Sequence, residues 1–343
     1  MFSIAGREVG PGRPPLIIAE LGINHNGDPA LARAMVDAAA RAGAEIIKHQ
    51  THIPECEMAE DAKSIQPDNA DRSIYDVIAS CHLDETQEAE LKTYVESRGL
   101  IFISTPFSLE AVDRLERFDV PAWKIGSGEC NNLPMIRRIL ETGKPIIMST
   151  GMNDLTAIGR SAALIEASRT PYALLHCTNV YPTPYDQVRL ACIGELQQAF
   201  PRALVGLSDH TGEIYTSIAA IALGADIIEL HFTDHKQRQG PDISASVDEQ
   251  QLRELIRIAP LIQSSVPGHK GMVAAEESVA HFAFASVVAR HAIAAGTCIT
   301  ADMLTVRRPG TGIPAACIDA VPGRYAAVDI AAAHVIQEVM LRA

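Results

Sequence analysis

The chain has 343 residues, 47% of them hydrophobic and 21% charged, a composition that excludes extensive disorder and predicts one large and one small domain. Its net charge of −13 argues against broad nucleic-acid or anionic-membrane binding and leaves room only for a local basic site. No apolar run reaches the roughly 18 residues that cross a bilayer, and the start MFSIAGREVG lacks a basic region followed by a long apolar one. A soluble, cytoplasmic protein is therefore expected. Seven cysteines, an odd number without C-x-x-C spacing, fit a reducing compartment and are expected to be buried thiols rather than a disulfide frame or a zinc cluster.

Along the chain, eight short β-rich runs alternate with helical or turn-rich segments, the pattern of repeated βα units. They are LIIAEL from Leu16, EIIKHQ from Glu45, IFISTP from Ile101, PAWKIGSGE from Pro121, KPIIMSTG from Lys144, YALLHCT from Tyr172, LVGLSDH from Leu204 and DIIELHF from Asp226. The segment after Gly27 predicts a helix with Asp28 as N-cap, Pro29 in the first turn and Gly43 at the end; Asp84 and Gly99 bracket a second. No G-x-G-x-x-G or P-loop favours an open doubly wound sheet. The reading is a (β/α)8 TIM barrel over residues 1–265, a linker over 266–282 marked by SSVPGHKG, and a small β-rich domain over 283–343. The connection from Thr51 to Leu83 exceeds an ordinary βα loop and is expected to cover the barrel mouth. In the tail, IAAGTCITADML from Ile293 and IAAAHVIQEVML from Ile330 form a repeat that predicts a pseudo-symmetric module. Gly296 of the first copy is Ala333 in the second.

Most of these runs pass from apolar into polar residues at their C-terminal ends, where an α/β barrel builds its active site. His210 and His231 close consecutive strands and suit a labile Mn²⁺ or Mg²⁺ that takes further oxygen ligands, with Asp209 and Glu229 as candidates to fix the histidine tautomers. Lys48 and Lys124 with Thr105, Ser127, Ser149 and Ser208 suit a phosphate or carboxylate. The same lysines also suit a Schiff base or pairing with Glu20 and Glu129. Those carboxylates can move protons or bind hydroxyls, with Gln50, Asn69, Tyr181 and Asp242 as further polyol partners.

The motifs IAELGINHNGD, GAEIIKHQTH, IFISTPF, KIGSGECNNLP, IIMSTGM, LLHCTNVYPTP, GLSDHT, HFTDH and GPDISAS, in this order, closely resemble the N-acetylneuraminate (sialic acid) synthase family. The tail FAFASVVARHAIAAGTCITADMLTVRRPGTGI resembles its antifreeze-like (SAF) domain. The resemblance implies a metal-dependent condensation of phosphoenolpyruvate with N-acetylmannosamine that gives N-acetylneuraminate and phosphate. It carries the metal-ligand role to His210 and His231. Phosphoenolpyruvate contacts fall on Lys48, Thr105, Lys124, Ser127, Ser149, Asn179 and Ser208, and sugar contacts on Glu20, Gln50, Asn69, Glu129, Tyr181 and Asp242. Catalytic roles are expected for Glu20, Glu129, Lys48 and Lys124, with Glu20 the leading group for positioning or proton transfer and Glu129 second. It further implies a domain-exchanged homodimer in which Arg308 of the RPG motif reaches the partner's barrel. The same scaffold serves 2,4-diacetamido sugars and 6-phosphorylated N-acetylmannosamine; KHQTH and GECNN look more like the N-acetylmannosamine branch. A Schiff-base pyruvate aldolase and a non-catalytic carbohydrate- or ice-binding protein are the alternatives of another class.

Overall fold

The computed structural model describes residues 1–66 and 72–343, and the chain divides into two compact units, Met1–Pro267 and Gly268–Ala343. The first begins with a hairpin, β1 (Phe2–Ile4) and β2 (Arg7–Val9), turned by Ala5 and Gly6 at φ 48° and 86°. There follow β3 (Leu16–Glu20), α1 (Pro29–Ala42), β4 (Ile46–Thr51), α2 (Pro54–Glu57), α3 (Ile74–Cys81), α4 (Glu85–Ser97), β5 (Ile101–Pro106) and α5 (Leu109–Arg117). The second half of the unit runs through β6 (Trp123–Ile125), α6 (Leu133–Leu140), β7 (Ile146–Ser149), α7 (Leu155–Ala167), β8 (Tyr172–Cys177), α8 (Ala191–Ala199), β9 (Leu204–Asp209), α9 (Tyr215–Ala222), β10 (Ile227–His231) and α10 (Glu249–Ser265).

Eight parallel strands pair in the order β5-β4-β3-β10-β9-β8-β7-β6, with β5 against β6 at the remaining seam, so the sheet is a near-closed (β/α)8 barrel. All eight runs expected from the sequence are its strands. The helix ends follow local chemistry as well: the Asp28 side chain accepts from Ala30 N–H at 2.8 Å, Gly43 turns the chain at φ 91°, and Asp84 with Gln87 closes a capping box.

Alternation along each strand sorts the side chains. Outward residues such as Ile17, Ala19, Ile47 and Phe102 pack against the helices, and inward ones form a second core from Leu16, Ile18, Ile46, Ile103, Ile147, Leu175, Leu204 and Ile227. Phe2, Ile4 and Val9 join that inner core, so the hairpin plugs the N-terminal end of the barrel. No sequence periodicity marks this hairpin, because two three-residue strands are too short to carry one. One step further along the same inward rows, apolar residues give way to Glu20, Lys48, Lys124 and Glu229, which are buried.

The second unit holds α11 (Glu277–Ala283), β11 (Ser286–Ala289), β12 (Leu304–Arg307), β13 (Tyr325–Ala326) and β14 (Leu341–Arg342). Its repeat is a structural one: Ile293 and Ile330 exchange reciprocal backbone hydrogen bonds of 2.8 Å, and both sit in the unit's own core with Val287, Ile299, Leu304 and Ile336. Gly296 and Ala333 both have positive φ, 83° and 64°, so the second copy holds a Cβ where the turn prefers none. Of the seven cysteines only Cys81, Cys130 and Cys177 are buried, whereas Cys56, Cys298 and Cys317 are exposed; the expectation of uniformly buried thiols fails because the last two lie in a small unit with little interior. Among the described residues no helix is long and apolar enough to cross a membrane.

Two stability tests follow from this packing. A Cβ on Gly206 in β9 would meet the Ile227 carbonyl and Leu175 Cδ2, so Gly206→Ala is expected to cost about 3 kcal/mol in chemical denaturation, and an unchanged midpoint refutes the close approach. Burial raises the Asp226 carboxyl to about 6. The folded state therefore binds this proton more tightly than the unfolded one, and stability is lost as pH rises from 4 through 6. Asp226→Asn should gain ~1 kcal/mol over the wild type at pH 8, after discounting for partial exposure, and nothing at pH 4; a pH-independent difference refutes the assignment.

Candidate active site

Register places the ionisable side chains side by side, since Glu20 pairs with Lys48 across β3 and β4, and with His231 across β3 and β10. Lys48 Nζ lies 2.9 Å from Glu20 Oε1 and 3.6 Å from Glu229 Oε1, and Lys124 Nζ lies 3.5 Å from the same Glu229 oxygen. The result is an alternating chain of charge, Glu20–Lys48–Glu229–Lys124. Hydroxyls fill the spaces: Lys48 donates to Thr105 at 3.1 Å, Lys124 to Ser149 at 2.8 Å, and Ser208 to Glu229 at 3.2 Å. Oε2 of Glu20 and Oε2 of Glu229 are buried without a partner.

The pairing decides the protonation. Burial raises Glu20 to about 7, and Lys48 only partly opposes that. For Glu229 burial acts in the same direction, but Lys124 and Lys48 more than reverse it and hold the carboxyl below its usual value. Lys48 feels burial against its charge, yet its two carboxylate neighbours raise it. Lys124 has one such neighbour, and burial lowers it.

His210 and His231 stand together at this mouth, ring centroids 5.3 Å apart. His210 Nδ1 donates to the Thr178 carbonyl at 2.9 Å, Nε2 shares a hydrogen bond with the Tyr181 hydroxyl at 3.1 Å, and Tyr181 also stacks on the ring. His231 Nδ1 is buried and unpartnered, 3.5 Å from Asp242 Oδ2. Burial and neighbouring His210 hold His231 well below its usual pKa, in the neutral form a metal ligand needs. Burial opposes charge on His210 too, but Cys177, 3.8 Å from Nδ1, outweighs it and lifts the pKa to about 9. Behind the pair, Gly22 sits at φ 53°, and a Cβ there would lie 3.0 Å from both His231 Nδ1 and Asp242 Oδ2. Two imidazoles with a carboxylate beside them suit a divalent cation, which would displace the His210 proton and complete its shell with other oxygens. Among the described residues no group of three or more His, Cys, Asp or Glu side chains is placed to hold a metal ion by itself.

A cavity of about 130 Å³ joins these groups, lined by Lys48, Gln50, Thr105, Lys124, Ser127, Ser149, Asn179, Tyr181, Ser208, His210, Glu229 and His231. Ser127 Oγ accepts from Gly151 N–H at 3.0 Å, and Asn179 Oδ1 faces Cys177 Sγ at 3.2 Å. Glu129 does not line it; its carboxylate accepts from Asn132 at 2.5 Å instead. Asn69 lies outside the described residues. Arg308 is exposed in the second unit. The histidine tautomers are not set by the carboxylates the sequence suggested. Asp209 faces away, accepting from Thr211 N–H at 3.0 Å and from Thr216 and Ser217, while Glu229 is occupied by the lysines. Cys177 was overlooked although its inward position could be read from the alternation in YALLHC; Gly22 gave no signal before His231 was placed behind it.

The NeuB family model matches residues 35–269 and the SAF domain model residues 284–342. The chain is 36% identical over 331 residues to N,N'-diacetyllegionaminic acid synthase of Campylobacter jejuni, covering 94% of this chain and 99% of that one. It is 33% identical over 308 residues to human N-acetylneuraminate-9-phosphate synthase, covering 88% and 85%. The crystal structure of N-acetylneuraminic acid (sialic acid) synthetase from Leptospira borgpetersenii superposes with a TM-score of 0.74 at 27% identity, over 81% of this chain and 94% of that one. A (β/α)8 barrel with paired lysines and histidines at its mouth, followed by a SAF unit, thus belongs to the NeuB family, and the chain is a sugar-acid synthase of that family.

Proposed function

We propose that the enzyme condenses phosphoenolpyruvate with N-acetylmannosamine to give N-acetylneuraminate and phosphate, in the cytoplasm and with Mn²⁺ or Mg²⁺. The observation that carries this reading is the buried chain Glu20–Lys48–Glu229–Lys124 beside two histidines in one cavity. Two ammonium groups and a ring of hydroxyls suit a trianionic substrate. Thr105, Ser127, Ser149, Asn179 and Ser208 complete the phosphoenolpyruvate site, and Glu20, Gln50, Asn69, Tyr181 and Asp242 receive the sugar, without Glu129, whose carboxylate is engaged by Asn132. Arg308 closes the site of a partner subunit in a domain-exchanged homodimer.

In the reaction, C3 of phosphoenolpyruvate attacks the aldehyde carbon of the open-chain sugar, water adds at C2, and the C2–O bond breaks to release phosphate. Lys48 and Lys124 hold the phosphate and carboxylate and offset the charge that develops on the leaving group. His210 and His231 would hold a divalent cation, which when bound would supply Lewis-acid polarisation of the sugar's carbonyl oxygen. Glu20, poised near neutrality by burial, moves a proton between water and the nascent hydroxyl. Lys48, fixed as an ammonium between two carboxylates, is a poor imine former; Lys124, which burial lowers, is the residue a Schiff-base lyase would use.

The relatives named as N,N'-diacetyllegionaminic acid and N-acetylneuraminate-9-phosphate synthases favour a second reading, in which the chemistry is kept and the sugar is a 2,4-diacetamido or 6-phosphorylated one. Phosphate release with Mn²⁺ and each sugar in turn separates them, and release without any sugar, or none with all three, overturns both. Lys124→Ala should raise the KM for phosphoenolpyruvate by about tenfold or more, the loss of one charge-assisted contact, and unchanged steady-state kinetics rejects that role. His231→Ala should fold with an unaltered circular-dichroism spectrum and lose Mn²⁺-dependent turnover; full activity at limiting Mn²⁺ rejects the ligand assignment.

A further inference from the structure

The hydrogen bonds that converge on Glu20 begin outside the cavity, at a histidine no role has been given. His52 follows directly on β4 and is buried, and three contacts fix its ring. Phe107, in the turn after β5, stacks on it with centroids 4.3 Å apart and planes within 13°. Nδ1 lies 2.9 Å from Glu57 Oε1, and Nε2 lies 3.0 Å from Gln50 Oε1. Glu57, the last residue of α2, is itself tied down, because its other oxygen accepts the Ile53 N–H at 3.3 Å. From Gln50 the chain continues inward, with Nε2 donating to Glu20 Oε1 at 2.7 Å, the oxygen that also meets Lys48.

An amide side chain can exchange its oxygen and nitrogen ends with almost no change of shape, so its direction is set by its partners. Glu57 accepts only and takes the Nδ1 proton. In the ion pair with Glu57 both ring nitrogens carry protons, so His52 also donates from Nε2 to the Gln50 carbonyl, and the NH2 group is then turned to Glu20. With Glu20 ionised, as its contact with the Lys48 ammonium favours, the reversed amide would set its carbonyl against the carboxylate, two acceptors with no proton between them. One of the two amide protons is used on Glu20, and Gln50 lines the cavity, so the other is left for a ligand oxygen. His176 shows the contrast: it too is buried, but its Nε2 meets the backbone carbonyl of Val188 and ends there.

We propose that His52, clamped by Glu57 and Phe107, is a positioning residue that fixes the direction of the Gln50 amide and so presents a hydrogen-bond donor to the amino sugar. The sugar part of this statement rests on the function proposed above; the orientation of the amide does not. Phosphoenolpyruvate meets other side chains, so the two substrates should respond differently.

His52→Phe keeps a ring against Phe107 and removes both donors. With the sugar that supports wild-type turnover, its KM for that sugar should rise about tenfold, while KM for phosphoenolpyruvate stays within about twofold. His52→Gln, which restores a donor, should recover part of the loss. In a Gln50→Ala background His52→Phe should have no further effect, since coupled residues are not additive. An unchanged sugar KM, equal changes for both substrates, or full additivity overturns the proposal. If His52→Phe does not fold, Glu57→Gln should give the same substrate split at smaller amplitude, and its absence there is equally decisive. Deuterium exchange of the Gln50 side-chain amide, read by NMR without substrate, should be slow in the wild type and about tenfold or more faster in the folded variant. Equal exchange rates refute the positioning whatever the sugar. Faster exchange in an enzyme that turns over none of the three sugars keeps the amide's orientation and refutes its tie to the sugar, along with the function proposed above.

Discussion

Four charges buried at the mouth of an apolar barrel set the terms for everything around them. Taking an ammonium or carboxylate out of water costs several kcal/mol per ion, and only close pairing offsets it. Lys48 and Glu229 each have opposite charges on both sides, and Glu20 and Lys124 terminate the row. The end members therefore carry the shifts of an incompletely paired group: Glu20 up to about 7, Lys124 down. A ligand bearing both negative charge and hydroxyls would relieve both ends at once.

The outer surface of the same strands carries a second ionic cluster. On β4, Lys48 and Gln50 face the cavity and His49 and Thr51 face the helices. There Glu88 of α4, fully buried, accepts from His49 at 3.2 Å, from Thr51, and from Arg114 of α5 at 3.2 Å. Thr51 also meets Ser104 of β5 at 2.7 Å. Two adjacent strands are thereby pinned to two helices on the outside at the level where Lys48, Gln50 and Thr105 work on the inside. Breaking such a pair leaves an uncompensated buried charge, so these strand ends are held in register by more than their ladder. The apolar floor below, closed by the β1–β2 hairpin, adds rigidity and excludes water from the lower barrel.

The SAF unit obeys a different logic. It is too small to rely on periodic helices, and its two repeats support each other through the reciprocal Ile293 and Ile330 bonds and a shared aliphatic core. The repeat tolerates Ala333 where its mate has glycine because a single strained φ costs only about 1–2 kcal/mol within an otherwise complementary fold.

Much of the architecture is local and was legible in the chain. Strand parity told which residues face inward, Asp28, Gly43 and Asp84 announced helix ends, and the passage from apolar to polar at each strand end located the mouth. The repeat at Ile293 and Ile330 was visible as letters before it was a pair of hydrogen bonds. What periodicity does not contain is adjacency between strands distant in sequence. Glu20 and His231 are neighbours only because β3 pairs with β10 when the barrel closes. For the same reason Glu229 became the bridge between two lysines rather than a partner of histidine, and Asp209 turned out to accept from the Thr216 and Ser217 hydroxyls of α9. Gln50 and His52 were adjacent in the sequence all along, yet the link from Glu57 to Glu20 through them depends on side-chain directions that tertiary packing alone imposes. The sequence determined the kinds of groups at the mouth and the faces they occupy. The closed sheet decided which of them touch, because burial leaves each charge stable only beside the particular partner that the register supplies.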